Sequence, residues 1–138
     1  MLKNANPLEA NMILEQQDNA VLVDVRSTME YSFVGHPLAA LHIPLKEPPS
    51  WDIQPGFVEK VRASLAACMP GNNQLNDVPV LMLCRSGQRS ELAGEMLIKA
   101  GFTNVYNVLE GFEGDKDENG HRNTINGWRF HGLSWEQS

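Results

Sequence analysis

Apolar residues change their spacing several times along this chain, and each change predicts an element boundary. Between positions 7 and 17, Leu8, Met12 and Ile13 or Leu14 recur at helical intervals, with Asn6 placed to cap the helix and Pro7 at its first position. Asn19 breaks that pattern, and VLVDV at 21–25 reads as a short buried strand. Ser27 or Thr28 is placed to cap a brief helix through Glu30 and Tyr31. GHPLAALHIPL at 35–45 is a turn leading into a short apolar strand that ends at Pro44, and Pro48, Pro49 and Pro55 mark an irregular loop. Helical spacing resumes over 56–69 through Phe57, Val61, Leu65 and Cys68, which puts Cys68 on an apolar face as a core residue.

VPVLMLC at 78–84 is a continuous apolar run, the pattern of a strand covered on both faces. The polar loop RSGQR follows, then a helix with Leu92, Ala93, Met96, Leu97 and Ala100 on one side and Gly101 at its C-terminal cap. A last short strand is expected at 104–108. From Gly111 onward the chain is rich in Gly, Asn and Asp and reads as a loop closed by a short helix, pinned to the body by Trp128 and Trp135. Strand and helix alternate without internal repeat. This predicts an α/β fold with a mainly parallel sheet and helices on both faces. Ligands of such sheets sit at the carboxyl ends of strands, where Cys84 falls.

Composition narrows the picture. A chain of 138 residues suits one compact domain, 1–138, able to bury a core without disulfides or metals. The formal net charge of −6 argues against nucleic acid and anionic membrane as partners, both of which demand clustered Lys and Arg. The two cysteines, Cys68 and Cys84, are too far apart for a CxxC pair and too few for a zinc site. Two free thiols, no apolar signal-like stretch in MLKNANPLEANMIL and no run long enough to span a bilayer make a cytoplasmic protein the expectation.

The candidate chemistry lies in Cys84-Arg85-Ser86-Gly87-Gln88-Arg89-Ser90. A buried strand delivers the cysteine to the sheet edge, and a helix begins directly after the loop. The first N–H groups of a helix have no intrahelical partners, and its dipole adds partial positive charge there. Gly87 allows a positive φ, so that successive N–H groups can converge on one point. Arg85 and Arg89 add full charges. Together these favour a thiolate, and the same cradle suits a persulfide, Cys–S–S⁻, or an incoming oxyanion.

CRSGQRS resembles the active-site loop of the rhodanese family: Cys, Arg, a variable residue, Gly, a variable residue, then Arg or Thr. LVDVRSTMEY at 22–31 is similar to the family's Asp-x-Arg segment with its Glu-Tyr, and GHPLAALHIPL to its Gly-His-Ile-x-Gly-Ala-x-Asn-Ile-Pro segment. Ala39-Ala40 and His42 depart from that second pattern. VYNVLEGFEG and NGWRFHGLSW match the usual close. The resemblance implies a rhodanese-like three-layer domain with a five-stranded, mainly parallel central sheet. It also implies a sulfurtransferase without cofactor. Cys84 would be the persulfide-bearing nucleophile; Ser86, Gly87, Gln88 and Arg89 would supply donors to the terminal sulfur; Arg85 and Arg89 would hold the oxyanion of a donor such as thiosulfate. Cyanide, a thiol or a protein thiol would accept the sulfur. A persulfide relay to a protein partner and a non-catalytic binding domain are the alternative readings.

Four residues separate Cys84 from Arg89, and Ser90 follows. Related phosphatases and arsenate reductases carry five, a wider cradle for a tetrahedral oxyanion, so the shorter loop favours sulfur transfer. Asp24 and Arg26, with Ser90, are read as structural support. His36, His42, His121 and His131 lack metal-ligand spacing. DKDENG at 115–120 opens like a calcium loop, but Asn126 stands where the closing Glu belongs, so it reads as an Asx-rich surface turn.

Overall fold

The protein is described by a computed structural model covering residues 1–137. Five parallel strands form the central sheet: β1 (Lys3–Ala5), β2 (Val21–Asp24), β4 (Leu41–His42), β5 (Val80–Leu83) and β6 (Val105–Val108), in the order β1-β6-β5-β2-β4. Helices α1 (Pro7–Gln16), α2 (Phe57–Cys68) and α3 (Gln88–Lys99) connect them. A separate antiparallel pair joins β3 (His36–Pro37) to β7 (Trp135–Glu136). Among the described residues no helix is long and apolar enough to cross a membrane.

The two-residue period of a strand sorts its side chains between two cores. Val23, Val25, Val80, Met82 and Cys84 face one cluster with Phe57, Val61 and Leu65 of α2 and Ala93 and Leu97 of α3. Leu22, Leu81, Leu83 and Val108 face the other, with Ala10 of α1, Phe112 and Trp128. The sheet is thus covered on both faces, which is why the central strand reads as an unbroken apolar run. Its four residues, Val80–Leu83, are all buried. Helix α1 starts as expected: Asn6 Oδ1 accepts the Glu9 N–H at 2.9 Å, and Glu9 Oε1 accepts the Asn6 N–H at 2.9 Å. This reciprocal cap stabilises by about 1 kcal/mol.

The same period puts Leu22, Asp24 and Arg26 on one face, and there the chain buries a charge pair. Arg26 Nη2 meets Asp24 Oδ2 at 2.6 Å and the Gly35 carbonyl at 2.6 Å, and both side chains are 0% exposed. The guanidinium stacks on Phe112 at 4.4 Å. The pair ties the end of β2 to Gly35 and to Phe112 in the chain after β6.

Three expectations are corrected, and one strand was not expected at all. Residues 3–5 carry no readable pattern, being three residues at the sheet edge, yet they pair with β6. The strand expected before Pro44 is β4, but His36 and Pro37, expected within the preceding turn, form β3 and pair with β7 in the second sheet. Cys68 is exposed rather than core: α2 buries Phe57, Val61 and Leu65, and the next position in that i+4 series is Met69, which packs against the core where the helix ends. Among the described residues the closing helix is absent. Gly127 (φ +112°) and Gly132 (φ +78°) bracket a single turn too short for a helix, and the chain then extends into β7. Trp128 is buried with its Nε1–H on the Ser134 carbonyl at 3.0 Å; Trp135, 40% exposed, meets Phe112 edge-on at 6.1 Å.

Candidate active site

Strand β5 ends at Leu83, and Cys84 follows at the carboxyl edge, 1% exposed. Gly87, at φ +113°, reverses the chain into α3. That conformation, open to glycine at low cost, turns the Gly87 N–H back onto Cys84 Sγ at 3.1 Å. The first intrahelical bond runs from the Glu91 N–H to the Gly87 carbonyl, so the N–H groups of Gln88, Arg89 and Ser90 precede it. A sulfur anion at this point meets the positive end of a 12-residue helix.

Ser90 Oγ lies 3.3 Å from Cys84 Sγ and also donates to Asn107 Oδ1. A hydroxyl has one proton, so Ser90 donates either to the asparagine or to the sulfur; while it donates to Asn107 it can only accept from a Cys84 S–H. Asn107, 2% exposed on β6, donates in turn to the Gly87 carbonyl at 3.2 Å. This buried asparagine fastens loop and helix start to the neighbouring strand. Sequence reading passed over it; the available signal was a polar side chain inside an otherwise apolar strand.

The two loop arginines differ. Arg89 forms a two-pronged pair with Glu30, Nη1 to Oε1 at 2.8 Å and Nη2 to Oε2 at 2.9 Å. Burial pushes the Glu30 carboxyl up, but Arg89 and the Ser27 donors outweigh it and bring it down to about 2. The carboxylate is therefore ionised at neutral pH, and Arg89 is locked in place with its charge matched. Arg85 is exposed and, among the described residues, takes part in no ion pair. Ser86 is half-buried, and Gln88 is exposed at the start of α3. Over the loop lies a cleft of about 570 Å³ lined by Arg85, Arg89, Arg122, Glu30, Glu113 and Trp51.

The backbone after β6 completes the cradle. The N–H groups of Phe112 and Glu113 donate to the carbonyls of Cys84 (2.8 Å) and Arg85 (3.0 Å), which holds the loop against residues 111–113. Gly111 sits at φ +70°, and a Cβ there would fall 2.4 Å from the Arg85 carbonyl carbon and 2.5 Å from the Ser86 nitrogen. Nothing but hydrogen fits. Gly111→Ala is therefore expected to displace the Cys84 loop and slow chemistry at Cys84 about a hundredfold, the usual consequence of an ångström-scale misplacement. Gly120 has a similar φ of +80° but nothing within 4 Å, so Gly120→Ala isolates the backbone strain. The rate of Cys84 alkylation in the two variants checks this; equal rates would remove steric contact as the cause.

No group of three or more His, Cys, Asp or Glu is placed to hold a metal among the described residues. His36 Nδ1 lies 2.9 Å from the Tyr31 carbonyl and His42 Nε2 2.9 Å from the Arg26 carbonyl, both rings stacking on Tyr31. His131 pairs with Glu110 at 2.9 Å.

The family model of the rhodanese-like domain matches residues 6–118. An uncharacterised RP600 homologue of Rickettsia rickettsii is 30% identical over 138 residues, 98% of each chain. The thiosulfate sulfurtransferase GlpE of Pseudomonas putida is 31% identical over 107 residues, 78% of this chain and 79% of that one. Among solved structures, the crystal structure of Rv0390 from M. tuberculosis superposes with a TM-score of 0.82 at 35% identity, covering 99% of this chain and 98% of that one.

Proposed function

Because this chain belongs to the rhodanese-like domain family, we propose that it is a sulfurtransferase that carries sulfane sulfur as a persulfide on Cys84. The observation that carries this reading is the Gly87 N–H on Cys84 Sγ at 3.1 Å, at the start of α3, in a loop with four residues between Cys84 and Arg89.

With thiosulfate as donor, the Cys84 thiolate attacks the outer sulfur. The new S–S bond forms as the old one breaks, and its electron pair leaves with sulfite. Arg85, exposed beside the nucleophile, stabilises the charge on the departing oxyanion. The terminal sulfur of the resulting Cys84–S–S⁻ rests against the N–H groups of Gln88, Arg89 and Ser90 at the positive end of α3. An acceptor thiolate or cyanide then attacks that terminal sulfur, and the pair of the breaking bond returns to Cys84. Ser90 turns its hydroxyl proton toward the sulfur when it is anionic, and Asn107 holds Gly87 in place throughout. Arg89 acts through its pair with Glu30, which fixes the first turn of α3 over the sulfur.

Thiosulfate is expected to add one sulfur atom per chain, mapped to Cys84 by peptide mass and removed by cyanide or excess thiol. Aryl phosphate hydrolysis should be negligible, because the short loop crowds a phosphate. Uptake mapped to Cys68, or robust phosphatase turnover, would overturn the reading.

A further inference from the structure

The cleft over the Cys84 loop holds an arginine that comes from neither the loop nor the helix behind it. Arg89 is matched by Glu30. That leaves Arg85 and Arg122 facing one carboxylate, Glu113, with neither arginine in an ion pair among the described residues. The cleft is therefore locally positive in a chain of net charge −6.

Arg122 is carried there by the Asx-rich segment 115–126. The Asp117 carboxylate is the hub: it accepts the N–H groups of Asn119 (2.8 Å) and His121 (2.9 Å) and the Thr124 hydroxyl (2.7 Å). The Asp117 N–H reaches the His121 carbonyl at 2.7 Å, and Asn126 Oδ1 accepts the Asp115 N–H at 2.8 Å. Arg122 itself is fastened at both levels. Nη1 donates to the Gly114 carbonyl at 2.6 Å, and the Asn123 N–H donates to the Glu113 carbonyl at 2.8 Å. A long cationic side chain in a surface loop ordinarily loses considerable freedom when it is fixed. Here the loop is folded on itself and one guanidinium nitrogen is anchored, so a cation is preorganised at the cleft wall.

We propose that Arg122 is a substrate-binding residue that holds a second anionic group of the sulfur acceptor, so that the cleft selects small thiols bearing a carboxylate over neutral thiols. This rests on the persulfide on Cys84. Thiosulfate carries its charge beside the transferred sulfur, where Arg85 already stands. A cation delivered from a separate loop suits a ligand whose charge lies away from its sulfur. The volume of about 570 Å³ suits a small molecule. In the transfer, the acceptor thiolate R–S⁻ bonds the terminal sulfur of Cys84–S–S⁻ and the Cys84–S bond breaks. The products are R–S–S⁻ and the Cys84 thiolate, with no change in electron count.

The test loads wild type, Arg122→Gln and Arg122→Lys with thiosulfate, removes the donor, and follows single-turnover loss of the persulfide by intact mass. The acceptors are 3-mercaptopropionate and 2-mercaptoethanol, compared per thiolate. Wild type should prefer the carboxylate thiol, and Arg122→Gln should lower that preference about fivefold, the scale of a partly exposed ion pair. Arg122→Lys should keep most of it. Raising salt should shrink the wild-type preference toward that of Arg122→Gln, an arm that needs no variant to fold. Equal preference in wild type and Arg122→Gln, a lysine variant as impaired as the glutamine one, or a salt-independent ratio would each overturn the role of Arg122. So would a loaded protein that passes sulfur to neither thiol. Failure of wild type to load at all would instead overturn the Cys84 persulfide.

Discussion

Cys84→Ser should take up no sulfur from thiosulfate and lose sulfur transfer by about a thousandfold or more, the scale seen when a covalent nucleophile is deleted. The serine oxygen can accept the Gly87 N–H as the sulfur does, so the loop should keep its shape and the variant its stability. What is lost is the atom that can form an S–S bond. Cys68 cannot take over. It is exposed near the end of α2, away from the strand-to-helix junction where unpaired N–H groups gather. Intact mass before and after thiosulfate, together with steady-state release of sulfite, measures the effect. Transfer retained by Cys84→Ser would place the reaction elsewhere and leave the cradle around Gly87 unexplained.

The second large effect is on stability. Asp24→Ala should cost about 3–5 kcal/mol, because it leaves the fully buried Arg26 guanidinium without its counterion. Arg26 is already at the limit of its partners. Its Nη2 uses Asp24 and Gly35, its Nε uses Asp24, and its Nη1 has none among the described residues. Removing both charges together, as in Asp24→Leu with Arg26→Met, should cost less than the two single losses combined, since no uncompensated charge remains. Denaturant unfolding of the two single variants and the double measures the coupling. Additive losses, or a loss under about 1 kcal/mol for Asp24→Ala, would mean that water reaches the pair. Arg26 also stacks on Phe112, whose N–H holds the Cys84 carbonyl at 2.8 Å. The unpaired charge should therefore loosen the active loop as well as the core.

The parts of this protein that were legible in its sequence are those governed by local rules. The cap at Asn6 is a contact between neighbours three residues apart, and it forms as the residue types dictate. The unbroken apolar run of β5 announced a strand covered on both faces, because no face of it is free to be polar. Gly87 between a buried strand and a helix announced a turn at positive φ, since that geometry depends on a few consecutive φ and ψ angles.

What tertiary structure decided involves partners far apart in the chain. Whether Arg89 is free or matched depends on Glu30, which the alternation of strand and helix brings beside it from the segment that follows β2. The need for glycine at position 111 arises from the Arg85 backbone passing at van der Waals distance, a crowding that no local pattern encodes. Asn107 looks like a defect in a strand until Ser90 and the Gly87 carbonyl are seen on either side of it. Cys68 shows the converse failure: helical spacing marked it as core, but burial depends on where α2 ends over the sheet, and Met69 takes the place instead. Arg122 belongs to a segment that reads as a solvated turn, and only the folding of that turn around Asp117 brings its charge to the cleft. Local sequence determines which backbone groups and side chains are on offer. Long-range packing determines which of them meet, because the distances involved are set by the sheet order and not by separation along the chain.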